Sequence, residues 1–132
     1  MCLQRRCGTG IDDGIYTVPM GSVEIGETPT ETLIREAKEE INIDIFPENV
    51  RLGHTMYRRH VLPDGYVFYQ QDLFFHVTHY SGELRNLESH KADDVRFFNF
   101  NELPSLMVPH IVQAIDLTRR GEVYSEHGFG GE

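Results

Sequence analysis

The run Thr28-Pro29-Thr30-Glu31 constrains this chain most, because it marks where a helix must begin. Thr is a favoured N-cap, Pro suits the first helical position, and Glu three residues past the cap completes a capping box. Leu33, Ile34, Ala37 and Ile41 then share one side at about 100° per residue. Asn42 follows, a residue that tolerates the left-handed conformation closing a helix. A helix with one apolar side needs a layer to pack on, and the rest of the chain offers strands. These are expected at residues 2–6, 15–18, 50–61, 66–79 and 95–100, with Pro63-Asp64-Gly65 as the turn of a hairpin. A second helix is expected from about Pro104 to Arg119, with Leu106, Ile111, Val112, Ala114, Ile115 and Leu117 on a broad apolar face. The Gly- and Asp-rich run 8–14 and residues 84–94 read as loops. The reading is one α/β domain over residues 1–120 with a loose tail over 121–132.

Composition narrows the function. A chain of 132 residues with 39% apolar residues can bury a core without disulfides or a structural metal. No apolar run approaches the roughly 18 residues that span a bilayer, and Met1 to Arg6 lacks the apolar stretch of a signal peptide. Twelve basic residues against 21 acidic ones give a net −9. That disfavours nucleic acid, which needs many cations. It permits a small anionic substrate if a metal ion inverts the local field. Two cysteines, Cys2 and Cys7, make no secreted disulfide framework and read as reduced thiols of a cytoplasmic protein.

Residues 21–45 carry seven acids and two bases, supplying −5 of the net charge. With Glu36 as the origin, Glu40 lies at about +40° and Glu39 at about −60° around the helix, while the apolar residues lie from about +60° to +160°. Three carboxylates therefore share a narrow face beside the buried stripe. Like charges at these spacings repel, and a divalent ion would remove the cost. All-oxygen ligands favour Mg²⁺ or Mn²⁺. The alternative is a solvated acidic face with Arg35 paired to Glu39.

The wider pattern is Gly21, five residues, Glu27, seven residues, then Arg35-Glu36-Ala37-Lys38-Glu39-Glu40-Ile41-Asn42-Ile43. It resembles the Nudix box at Gly21, Glu27, Arg35, Glu36, Glu39, Glu40 and Ile43. Ala37 is smaller than the usual aliphatic there, Asn42 replaces a Gly, and Met20 stands where a second Gly commonly precedes Gly21. Leu3-Gln4-Arg5-Arg6, the lead-in Asp13 to Pro19, Glu88 to Phe98 and Asn101-Glu102-Leu103-Pro104 also look like MutT-type members. The resemblance implies a Nudix-type α/β/α sandwich around a mixed β-sheet. Members usually carry a further strand before Leu-Gln-Arg-Arg. That strand is apparently missing, so a partner chain, for instance in a homodimer, is one way to cover the edge.

The resemblance also implies roles. Glu39 and Glu40 become the main metal ligands, and Glu36 a third ligand or the residue that activates water. Glu27 becomes an outer ligand or orienting group, and Met20 gives its backbone carbonyl to the metal. Arg35 holds a carboxylate in place within the catalytic set. Glu88 is the expected loop acid, with Asp93 and Asp94 as alternatives. Arg5 is either a substrate contact or a surface cation. The implied activity is metal-dependent hydrolysis of a nucleoside di- or triphosphate or a nucleotide conjugate, releasing a nucleoside monophosphate. Two rival readings are a non-catalytic nucleotide-binding Nudix module that regulates a partner, and a plain acidic interaction domain.

Overall fold

The computed structural model describes residues 1–130. In chain order its elements are β1 (Cys2–Arg6), β2 (Tyr16–Thr17), α1 (Pro29–Ile41), β3 (Val50–Val61), β4 (Val67–Val77), β5 (Ala92–Phe97), α2 (Pro109–Arg119) and β6 (Tyr124–His127). A single 3₁₀ turn, Pro47–Asn49, leads into β3.

The first helix forms as its sequence dictates. The Glu31 amide donates to Thr28 Oγ1 at 3.2 Å, and Asn42 closes the helix in the left-handed region at φ 63°. The Asn42 side-chain amide also donates to the Glu83 carbonyl, tying the helix end to a distant loop.

The strands make two three-stranded sheets rather than one. β1 is the middle strand of an antiparallel sheet in the order β2–β1–β5. The open edge anticipated beside β1 is therefore filled on both sides within the chain. β3 is the middle strand of the other sheet, antiparallel to β4 and parallel to β6. The mixed character lies there.

Alternation along β1 separates two cores, since adjacent residues face opposite ways. On one side Ala37, Ile41, Ile43 and Ile45 pack with Cys2, Val50, Val77 and Val95. On the other, Val108, Ile111 and Ile115 pack with Ile15, Phe74 and Met107. Leu3 and Met56 are fully buried. The helices thus lie on opposite sides of the strands.

Three expectations are corrected. β5 starts at Ala92, not Val95, and ends at Phe97, not Phe100. Its polar beginning hides it, yet Asp94 and Ala92 pair with Arg5 and Arg6 of β1. The second helix starts at Pro109, not Pro104. Tyr16 and Met107 form a parallel bridge, with Tyr16 N–H on the Leu106 carbonyl at 3.0 Å and Val108 N–H on the Tyr16 carbonyl at 2.9 Å. That holds residues 106–108 extended, and Pro109 restricts Val108 to a non-helical conformation. Finally, part of the segment 121–132, expected as a loose tail, is ordered in a strand. Tyr124–His127 is a strand paired with Thr55–Arg58 of β3. His54 is fully buried beneath the join, with Nδ1 on the Glu122 carbonyl and Nε2 on Ser125 Oγ, each at 2.8 Å. Gly131 and Glu132, the end of the expected tail, lie outside the described residues.

Candidate active site

α1 carries Glu36, Glu39 and Glu40 on one edge, and burial grades across them. Glu40 is buried, Glu36 is partly buried and Glu39 is exposed. Arg35 organises the rest. Its Nε and Nη2 fork onto the two oxygens of Glu27 at 2.8 and 3.0 Å, while Nη1 reaches Glu36 at 2.7 Å and Glu39 at 3.2 Å. Thr32 Oγ1 donates to the same Glu27 at 2.6 Å. The Arg35 and Thr32 hydrogen bonds hold the Glu27 carboxyl down at about 2. Arg35 is raised above its ordinary range by Glu27 and Glu36.

Glu40 is the opposite case. Burial, reinforced by the negative charge of Glu36 and Glu88, pushes its carboxyl up to about 8, with only the Met20 N–H opposing. Its Oε2 is buried and has no hydrogen-bond partner among the described residues. Such an atom ordinarily costs about 1–3 kcal/mol, so it calls for an explanation.

Glu40 opens onto a cavity of about 290 Å³ that also holds Met20, Glu88, Arg6, Gln4 and Lys91. The structure therefore brings together Glu40, Glu88 and Met20, with Glu36 and Glu27 alongside through Arg35. Neither Met20 nor Gly21 has a positive φ, so the Met costs no backbone strain where a Gly is common. Gly21 has another reason to be Gly. A Cβ there would lie 2.2 Å from Glu36 Cδ.

The remaining candidates fall elsewhere. Arg5 Nε binds Asp93 at 2.7 Å, and its guanidinium lies 5.8 Å from the centre of the Tyr16 ring. Asp94 accepts from the Tyr16 hydroxyl and pairs with Arg96. Of Glu88, Asp93 and Asp94, only Glu88 lines the cavity. Arg6 lines it where Arg5 does not. Its Nε donates to the Ile11 carbonyl at 2.8 Å and its Nη2 to Thr9 Oγ1 at 3.1 Å, so it also pins the 8–14 loop. The signal for Arg6 was strand alternation, since Cys2, Gln4 and Arg6 share a face.

The donor chemistry suits a hard divalent cation: carboxylates only, one oxygen orphaned and buried, and mutual repulsion that raises a pKa. Among the described residues, no three acidic, His or Cys side chains yet converge on a single point. Arg35 occupies oxygens of Glu27, Glu36 and Glu39.

The NUDIX domain family model matches residues 1–118. The chain belongs to the Nudix family. Among curated proteins, it is 33% identical over 98 residues to the NAD-capped RNA hydrolase NudC of Photorhabdus laumondii, covering 74% of this chain and 34% of that protein. It is 29% identical over 94 residues to NudC of Stutzerimonas stutzeri, covering 70% and 30%. The chain thus spans about a third of the length of these curated relatives. Among solved structures, a MutT NUDIX hydrolase from Burkholderia pseudomallei shares the fold with a TM-score of 0.72 at 21% identity, covering 87% of this chain and 84% of that one. A MutT protein from Bacillus halodurans gives 0.71 at 19% identity, covering 96% and 80%. These likenesses establish the Nudix fold. No helix among the described residues is long and apolar enough to cross a membrane.

Proposed function

We propose that this Nudix chain is a divalent-metal-dependent pyrophosphohydrolase. Its substrate would be a nucleoside di- or triphosphate or a nucleotide conjugate, cleaved to a nucleoside monophosphate and the other phosphate-bearing product. The observation that carries the reading is the orphaned, buried oxygen of Glu40 in a cavity shared with Glu88, Arg6 and Lys91. Carboxylates and cations share this cavity, with Lys91 Nζ 3.9 Å from a Glu88 oxygen, a mixture that suits a metal-bound pyrophosphate.

Glu36, Glu39 and Glu40 would hold the ion, Mg²⁺ or Mn²⁺, with Glu88 and the Met20 carbonyl completing the set and Glu27 orienting it. When bound, the ion supplies neutralisation of phosphate charge and polarisation of water. The protein's own part is positioning. Arg35 and Thr32 fix Glu27, and Glu36 sits against Gly21, so the acids approach from a rigid helix. Arg6 and Lys91 offer positive charge for phosphate oxygens. Glu36 or Glu40 would accept the proton of the attacking water. The free thiols Cys2 and Cys7 support a reducing, cytoplasmic setting.

The test is a nucleotide panel with Mg²⁺ and Mn²⁺, resolving products by chromatography. It should include canonical and oxidised nucleoside triphosphates, ADP-ribose, nucleotide sugars, NADH, coenzyme A and diadenosine polyphosphates. Turnover by wild type that vanishes in Glu40→Gln supports the proposal. Folded, metal-binding protein that hydrolyses nothing on the panel overturns it. The second reading, a nucleotide-binding module, has one observation in its favour: Arg35 already pairs with Glu36 and Glu39. It predicts nucleotide binding that survives Glu39→Gln and Glu40→Gln.

A further inference from the structure

A second cavity, of about 200 Å³, lies between β3, the first turn of α2, β6 and the 8–14 loop. None of the acids of α1 lines it. Its chemistry is unlike the rest of this acidic chain. β3 contributes Arg58, Arg59 and His60, α2 contributes His110, and β6 contributes His127. Arg58 is itself buried, at 8% exposure. Burying a guanidinium is costly unless its bonds are arranged. Here Nε is tied to Asp72 of β4 at 2.8 Å, and Nη1 donates to His60 Nδ1 at 2.6 Å. His127 Nδ1 is fixed on the Gln113 side-chain oxygen at 2.8 Å, and the His110 and His127 rings lie 5.9 Å apart. Arg58 and His127 are thus held in place from outside the cavity by Asp72 and Gln113.

We propose that this cavity is an anion-binding subsite, separate from the acidic helix, that takes a tetrahedral oxyanion such as the phosphate group of a small phosphorylated molecule. Two acids bear on this charge, Asp12 in the lining and Asp72 outside it, paired with Arg58. With the imidazoles neutral, they balance Arg58 and Arg59. Any net positive charge must therefore come from protonation of an imidazole, and His60 is committed to its neutral form while its Nδ1 accepts from Arg58. Burial and Arg58 hold His60 below its ordinary value. Burial and Arg58, with His127 and His60, push His110 down to about 4, against the pull of Asp72. An oxyanion beside His110 opposes that effect and favours its protonated form. The start of α2 adds amide dipoles oriented toward negative charge. Binding is therefore accompanied by proton uptake.

The experiment uses the intact protein in a metal chelator, so that it is independent of hydrolysis. Sulfate is the first probe because it remains a dianion across the range, and inorganic phosphate is the second. Imidazole resonances are followed by NMR against pH. Sulfate is expected to raise the His110 pKa by about two units, and its affinity to be about tenfold tighter at about pH 5 than at about pH 7. In His110→Asn that pH dependence shrinks while the fold, judged by the His54 resonance, is retained. Imidazole titrations unmoved by saturating sulfate and phosphate overturn the proposal. So does a shift of the same resonances by an uncharged nucleoside but by neither anion, which would make the cavity a nucleoside pocket. A nucleotide panel without turnover would leave these readouts untouched.

Discussion

Glu40 and Glu27 show how one helix can treat two carboxylates in opposite ways. Glu27 is held ionised by Arg35 and Thr32, so it favours the folded state above about pH 4.5 and loses that effect as pH falls toward about 2. Glu40 is raised, so the metal-free fold favours its protonated form. That contribution is full below about 4.5 and is lost as pH climbs through about 8. Metal-free Glu40→Gln should therefore melt no lower than wild type at neutral pH, and higher at about pH 8. It should lose the Mg²⁺-dependent rise in Tm. Thermal melts with and without Mg²⁺ check both signs. At Arg35, a Lys cannot fork onto Glu27 and still reach Glu36. Arg35→Lys is expected to lower kcat/KM by about 10–100-fold, as loss of a group that orients metal ligands does. At Gly21, an added methyl meets Glu36 at 2.2 Å. Gly21→Ala should therefore displace Glu36 and cut turnover far more than it shifts Tm, and steady-state kinetics beside a melt separates the two.

Among the elements, those bounded by local chemistry were legible and those bounded by distant partners were not. The start of α1 rests on Thr28 and Pro29, its end on Asn42, and the β3–β4 turn on Pro63-Asp64-Gly65, all contiguous residues. The start of β5 depends instead on Arg5 and Arg6, some ninety residues away. The late start of α2 depends on a bridge from Met107 to Tyr16. β6 reads as polar tail because only its pairing with β3 makes it a strand. The candidate site divides the same way. Helical periodicity placed Glu36, Glu39 and Glu40 on one edge. It could not choose among Glu88, Asp93 and Asp94, because strand pairing directs Asp93 to Arg5 and Asp94 to Tyr16. Packing beneath the acid edge is testable. Ile41 is 6% exposed in the core under α1. Ile41→Ala is expected to cost about 2–5 kcal/mol in urea unfolding.

At the scale of the whole molecule, the two sheets share no strand, and both send side chains into the core under α1, Cys2 and Val95 from one and Val50 and Val77 from the other. β6 is the part of the second sheet most separable from it in sequence. Removing residues from 121 onward would unpair four β3 residues and leave both nitrogens of buried His54 without partners. The truncated protein should lose stability well beyond a typical surface change, by about 3 kcal/mol or more, as denaturant titration would show. The same loss should abolish the second cavity, since His127 departs with the strand.

The parallel pairing of β3 with β6 also bears on how the chain assembles. Thr55 meets Tyr124 across about 70 intervening residues, whereas the β3–β4 hairpin closes through a tight turn. Contacts of such long range raise contact order and slow folding. During synthesis the hairpin can form early, with one edge of β3 open and His54 uncovered until β6 emerges from the ribosome. In that interval the exposed β3 edge is the point of greatest risk for association between nascent chains. In the finished protein the β6 amides should be the first of that sheet to exchange with solvent.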